Sequence, residues 1–208
     1  MTQAKMFEQL AQKIDRHSKL LRSWSLTGGV SAQVTVLEIE RSDGEKQKIV
    51  VRRHGEADLQ HNPQIAADEF RLLQRLQAAG LAVPTPYYVD QSCEFFATPC
   101  IVIEYIEGNT EFAPSDLGDY ILQTATYLSR IHHVDGSTVD LSFLPQQAKL
   151  TADRLRQRPA KLDESLDEGR IRDRLEAVWP LAQRNPAVLL HGDFWAGNIL
   201  WRDGRLAA

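Results

Sequence analysis

Apolar positions fall at helical spacing along the first 21 residues. Phe7, Leu10, Ala11, Ile14 and Leu21 share one side, and the pattern predicts one amphipathic helix over 1–21. The period then shortens. In "LTGGVSAQVTVLEIERSDGEKQKIVVRRHG" two β-rich runs flank "RSDGE", where Asp43-Gly44 is a turn signal, so this stretch reads as a hairpin whose first strand opens on a Gly-Gly turn. "NPQIAADEFRLLQRLQAAG" returns to helical spacing. Pro63 stands near its start, Ala66, Phe70, Leu73 and Leu76 form one face, and Gly80 marks its end. "VPTP" excludes helix, and "YYVD" and "CIVIEYIEG" read as two further strands. The first half is therefore an antiparallel sheet with a helix laid on it.

The composition shifts after Gly108. Leu117, Ile121, Thr124, Leu128 and Ile131 give a helix with Ser115 as its N-cap. "LDEGRIRDRLEAVWPLAQR" gives another, kinked or ended near Pro180. The polar stretch "QQAKLTADRLRQRPAK" between them receives no assignment. "AVLL" and "NILW" read as short strands around the loop "HGDFWAGN", followed by a "RDGR" turn and the start of a strand in "LAA". The expected architecture is α+β with two lobes: an N-lobe over 1–106, and a mostly helical C-lobe over 107–208. "EYIEG" is the hinge.

Composition narrows the function classes. The chain has 208 residues, 43% hydrophobic and 25% charged, which suffices for a core. A formal net charge of -4 gives a nucleic-acid partner no electrostatic support. The apolar runs are too short for a membrane span, and the N-terminus lacks the apolar block of a signal peptide. Cys93 and Cys100 give no disulfide framework and read as reduced, half-buried packing residues. A cytoplasmic protein is expected, and the sequence does not indicate its oligomeric state.

The loop after "AVLL" carries the chemistry. An Asp held between two short strands keeps its carboxylate reachable, where it can accept or orient a substrate hydroxyl proton. An Asn five residues later brings a neutral oxygen suited to Mg²⁺. Phosphoryl transfer uses this pairing, because its transition state demands positioning and charge neutralisation more than covalent chemistry. His191, Asp193 and Asn198 have the offsets of a kinase catalytic loop. Two other readings are a hydrogen-bonded turn and a metal-hydrolase site on His191 and Asp193. Upstream, Gly28, Gly29 and Ser31 lie in a turn whose backbone N–H groups could approach phosphate. Arg52 shares a strand face with Val50 and is the candidate phosphate contact, with Arg53 as the alternative. Glu69 on the following helix could reach that arginine.

Taken together, "LTGGVS", "IVVRR", "ADEFRLLQRL", "VPTP", "IVIEYIEG", "YLSRIHHVD" and "HGDFWAGNILW" resemble the aminoglycoside phosphotransferase family, the small-molecule branch of the kinase-like fold. The resemblance runs from about Leu26 to the end. It implies Asp193 as catalytic base or orienting carboxylate, Asn198 as a Mg²⁺ ligand and His191 as support for the loop. It further implies that Arg52, paired with Glu69, holds the ATP phosphates and that the backbone of Glu104 and Ile106 meets the adenine edge. Two departures stand out: Arg replaces the family's usual Lys, and the chain stops at "RDGRLAA", before the family's second metal-binding Asp. Asp203 reads as part of a turn rather than as its substitute. The expected activity is transfer of the ATP γ-phosphate to a hydroxyl of a small molecule. The alternative is a kinase-like nucleotide-binding module without catalysis, or an inactive fragment. Gly192 stands where protein kinases carry Arg, which argues against a protein substrate. Glu107, Glu111, Asp116, Asp119 and "LDESLDEG" could line an acidic cleft for a cationic acceptor, or be solvated surface.

Overall fold

The computed structural model describes residues 2–26, 32–182 and 184–208. The chain forms two compact units, Met1–Val139 with Leu189–Ala208, and Asp140–Val188.

The first unit is built on a five-stranded antiparallel sheet. In chain order it has α1 (Gln3–Ala11), β1 (Lys19–Leu26), β2 (Ala32–Glu40), β3 (Lys46–His54), α2 (Glu56–His61), α3 (Ile65–Ala78), β4 (Pro86–Asp90), β5 (Cys100–Glu104) and α4 (Leu117–His132). The sheet order is β1-β2-β3-β5-β4. Both faces of its central strands are covered. Leu37, Ile39, Ile49, Val51 and Val102 pack with Phe7, Leu10 and Ala11 of α1. Val36, Val50, Ile101 and Ile103 pack with Ala66 of α3. Each large side chain so buried contributes about 1.5–3 kcal/mol, and this double burial explains why "TVLEI" and "KIVV" are almost continuously apolar. The hairpin between β2 and β3 turns at Asp43-Gly44, with Gly44 at φ 84°.

Four sequence expectations change here. The first helix stops at Ala11, and Leu21 belongs to β1, where it is 42% exposed. The Asp15 carboxylate breaks the helical run by accepting from the N–H groups of His17 and Ser42. The N-cap of α4 is Asp116, whose side chain accepts from the Asp119 N–H at 2.9 Å, one residue beyond Ser115. Cys93 is exposed and Cys100 fully buried, rather than both half-buried, and both are free. "AVLL" forms no strand. The loop ends in a 3-10 turn (Ala196–Asn198) and is followed by a two-residue ladder of β6 (Trp201–Arg202) with β7 (Arg205–Leu206).

The second unit holds α5 (Gln147–Arg156), a 3-10 turn (Glu164–Leu166) and α6 (Glu168–Val178). The unassigned polar stretch is thus a helix; α5 has no buried residue, so its sequence carries no apolar stripe. α6 ends before Pro180, at Val178. Among the described residues no helix is long and apolar enough to cross a membrane.

Candidate active site

The loop from His191 to Asn198 is held by its own side chains. The Asn198 amide nitrogen donates to the Asp193 carbonyl at 2.9 Å and to Asp193 Oδ2 at 2.8 Å. The Asp193 N–H donates to His191 Nδ1 at 3.3 Å, and the His191 ring meets Phe194 edge-on at 5.3 Å. Asp193 and Asn198 are both exposed. With the amide nitrogen committed, the amide oxygen is what Asn198 offers to a cation. The result is a reachable carboxylate and a neutral oxygen on one short, internally braced segment.

The strand after the loop is anchored to the segment that leaves β5. Asn109 and Trp201 exchange two backbone hydrogen bonds, each 2.9 Å. Gly108 allows this approach, since a Cβ there would lie 2.9 Å from the Trp201 carbonyl oxygen. Tyr120 of α4 stacks on Trp201 at 4.6 Å between ring centroids. Gln123 accepts from the Leu206 N–H and donates to the Gly204 carbonyl. Asp203 and Gly204, at φ 51° and 72°, form the tight turn of this hairpin, which is the place the sequence assigned to Asp203.

At the sheet, Arg52 Nη1 lies 3.1 Å from Glu69 Oε1, so β3 and α3 bring together the two residues paired in the sequence reading. Arg53 points to the opposite face, where it donates to Gln33 and covers the Phe96 ring at 4.6 Å. Alternation along β3 separates the two arginines. The sequence reading missed His54. It is buried, and its Nε2 lies 2.8 Å from Glu69 Oε2. The available signal was spacing, since His54 follows Val50 and Arg52 on the α3 face. Gly28, Gly29 and Ser31 lie outside the described residues.

At the end of β5, the Glu104 N–H donates to the Thr85 carbonyl at 2.8 Å, and the Glu104 carboxylate accepts from Thr85. Only the carbonyl of its backbone remains for a planar ligand edge. Ile106 has no secondary structure, and its N–H has no backbone acceptor among the described residues. The acidic side chains considered for a cationic cleft carry local tasks. Glu107 pairs with Lys48, Glu111 accepts from the Ala113 N–H, Asp116 caps α4, Asp119 accepts from Gln123, and Glu168 pairs with Arg172.

The donor groups suit a nucleotide and Mg²⁺. Arg52 Nε is buried and has no acceptor among the described residues, so the guanidinium retains donors beyond the one facing Glu69. No cluster of three or more His, Cys, Asp or Glu able to hold a metal occurs among the described residues. Mg²⁺ needs no such cage when one or two protein oxygens act with substrate phosphates.

An antiparallel sheet carrying an Arg–Glu pair, followed by an Asp-x4-Asn loop, defines a kinase-like fold. The chain belongs to the phosphotransferase enzyme family, whose model matches residues 26–208. Its solved structural neighbours share that fold. One is a protein of Ralstonia eutropha JMP134 provisionally described as an aminoglycoside phosphotransferase, with TM-score 0.67 and 15% identity over 98% of this chain and 62% of the neighbour. Another is the GDP and kanamycin complex of APH(2")-IIia, with TM-score 0.64 and 17% identity over 93% of this chain and 66% of the neighbour. A third is a thermostable mutant of aminoglycoside phosphotransferase APH(4)-Ia with AMP-PNP and hygromycin B, with TM-score 0.65 and 15% identity over 97% of this chain and 68% of the neighbour. The chain thus spans less than two thirds of the length of the first two. No curated protein matches it in sequence.

Proposed function

We propose that this chain carries the site of an ATP-dependent phosphotransferase that moves the γ-phosphoryl group to a hydroxyl of a small molecule, of the aminoglycoside or choline-like class. The observation that carries the reading is the braced Asp193–Asn198 pair, at 2.8 Å, on an exposed loop. Family membership over residues 26–208 supports it.

In this reading Asp193 orients the acceptor hydroxyl and takes its proton as the oxygen attacks. Such a group contributes about 10²–10⁴-fold. Asn198 holds Asp193 in place and turns an oxygen towards Mg²⁺, which neutralises phosphate charge when bound. His191 supports the loop. Arg52, oriented by Glu69, grips the phosphates, and the glycine turn at Gly28, Gly29 and Ser31 covers them. The Glu104 carbonyl and the Ile106 N–H face the adenine edge. The boundary between nucleotide lobe (1–106) and catalytic lobe (107–208) belongs to the same proposal, as does a cytoplasmic setting. The neighbours with GDP and kanamycin, and with AMP-PNP and hygromycin B, support a nucleotide donor and a polyhydroxylated acceptor.

One observation favours a second reading, a nucleotide-binding module without turnover. Asp193 is the sole carboxylate of its loop, and Asp203 is confined to a hairpin turn. Calorimetric titration with ATP and Mg²⁺, followed by ADP release with a panel of alcohols, separates the two. Binding with turnover supports the transferase, binding without turnover supports the module, and no binding removes both.

A further inference from the structure

Val50, Arg52 and His54 alternate along β3 on the face covered by α3, and the first packs on Ala66 there. His54 is the deepest of the three polar or charged groups gathered at this point, its side chain being 3% exposed against 36% for Arg52 and 20% for Glu69. The Glu69 carboxylate is divided between the other two. Oε1 faces Arg52 Nη1 at 3.1 Å and Oε2 faces His54 Nε2 at 2.8 Å. His54 Nε2 is buried and has no aligned hydrogen bond among the described residues, so its approach to Oε2 is a close polar contact rather than a hydrogen bond.

A carboxylate on one flexible side chain can rotate about its last bonds. Held at one oxygen only, it offers Arg52 a moving partner; held at both, it presents one oxygen in one direction. Burial makes the second contact matter, because a polar contact withdrawn from water is screened much less than an exposed one. The neighbouring acid, Asp68, is engaged elsewhere: its carboxylate accepts from the Asn62 amide at 2.9 Å.

We propose that His54 is a positioning residue which, through Glu69, fixes the direction of the Arg52 guanidinium and so sets nucleotide affinity. This rests on the reading of Arg52 as the phosphate contact. His54 touches no ligand in this account. What it supplies is a polar ring nitrogen 2.8 Å from the far oxygen of Glu69, and the Gln side chain places a polar nitrogen at a comparable reach while Leu does not.

The test uses the full chain with ¹⁵N-labelled arginine, wild type and the variants His54→Gln and His54→Leu. Two quantities are read: the side-chain NMR signal of Arg52, assigned by its loss in Arg52→Lys, and ADP affinity in the presence of Mg²⁺. In His54→Leu the Arg52 signal is expected to move to that of a freely rotating guanidinium and ADP binding to weaken about tenfold, with the amide spectrum otherwise retained. His54→Gln is expected to keep the signal and to bind within about threefold of wild type. An apolar variant that keeps both signal and affinity overturns the proposal. So does a folded Gln variant as impaired as the Leu variant. If Leu prevents folding, His54→Met provides the apolar side chain. If wild type binds no ADP, the phosphate reading fails, while the Arg52 signal still decides what His54 does.

Discussion

Asn198 donates twice to Asp193, once to its carbonyl and once to its carboxylate, at 2.9 and 2.8 Å. One amide nitrogen therefore fixes both the backbone and the side chain of the residue proposed to meet the acceptor hydroxyl. Asn198→Ala removes both bonds and the amide oxygen. ADP release in the presence of an accepted alcohol is expected to fall at least about 100-fold, and the loop to stay folded through the remaining 3-10 turn. Asn198→Asp keeps an oxygen ligand but places a carboxylate against Asp193, and is expected to be similarly inactive. Steady-state kinetics with a coupled ADP assay checks both.

Gly108 and Gly197 make opposite predictions. A Cβ at Gly108 meets the Trp201 carbonyl at 2.9 Å and Leu200 Cβ at 3.3 Å, in a bridge whose two backbone hydrogen bonds leave no room to yield. Gly108→Ala is expected to cost about 1–3 kcal/mol, read as a lower urea midpoint. A Cβ at Gly197 has the Trp195 indole as its nearest neighbour, and that side chain is 55% exposed. Gly197→Ala is expected to swing the ring away with little change in midpoint, visible as altered Trp195 fluorescence.

The two cysteines differ in reactivity. Burial raises the Cys100 thiol to about 12, whereas Cys93 is exposed. At pH 8 a disulfide reagent is expected to titrate one thiol quickly and the second only on denaturation. Two fast equivalents contradict the packing of Cys100.

Asp15 ties the end of α1 to the β2–β3 turn. The Ser42 and His17 N–H groups hold its carboxyl below the ordinary 3.8. A carboxyl lowered on folding stabilises above its unfolded value, and the contribution disappears as pH falls through the native value. Stability therefore declines below about pH 4 partly through this group. Asp15→Asn is expected to be less stable at neutral pH and to show a shallower acid limb in thermal melts.

Legibility followed local geometry. The β2–β3 hairpin could be read because alternation and Asp43-Gly44 point to the same register. β1 could not, because its exposed pattern carries no apolar stripe and Leu21 happens to continue the helical spacing of α1. The spacing of Asp193 and Asn198 was visible because the contact lies within one loop. The second contact of Glu69 was hidden: alternation shows which face His54 takes, but not which oxygen it meets on another element. The acidic run suggested a cationic ligand, yet charge alone does not reveal that Asp116 caps a helix or that Glu107 holds Lys48.

The central claim is that the Asp193 carboxylate serves phosphoryl transfer. The most direct measurement compares wild type with Asp193→Asn for ADP affinity and for phosphorylated product, by mass spectrometry, across a panel of small alcohols with ATP and Mg²⁺. The account predicts product from wild type, at least about 100-fold less from the variant, and ADP affinity within a few-fold between them. Equal product from both chains, or nucleotide binding lost together with Asp193, contradicts it.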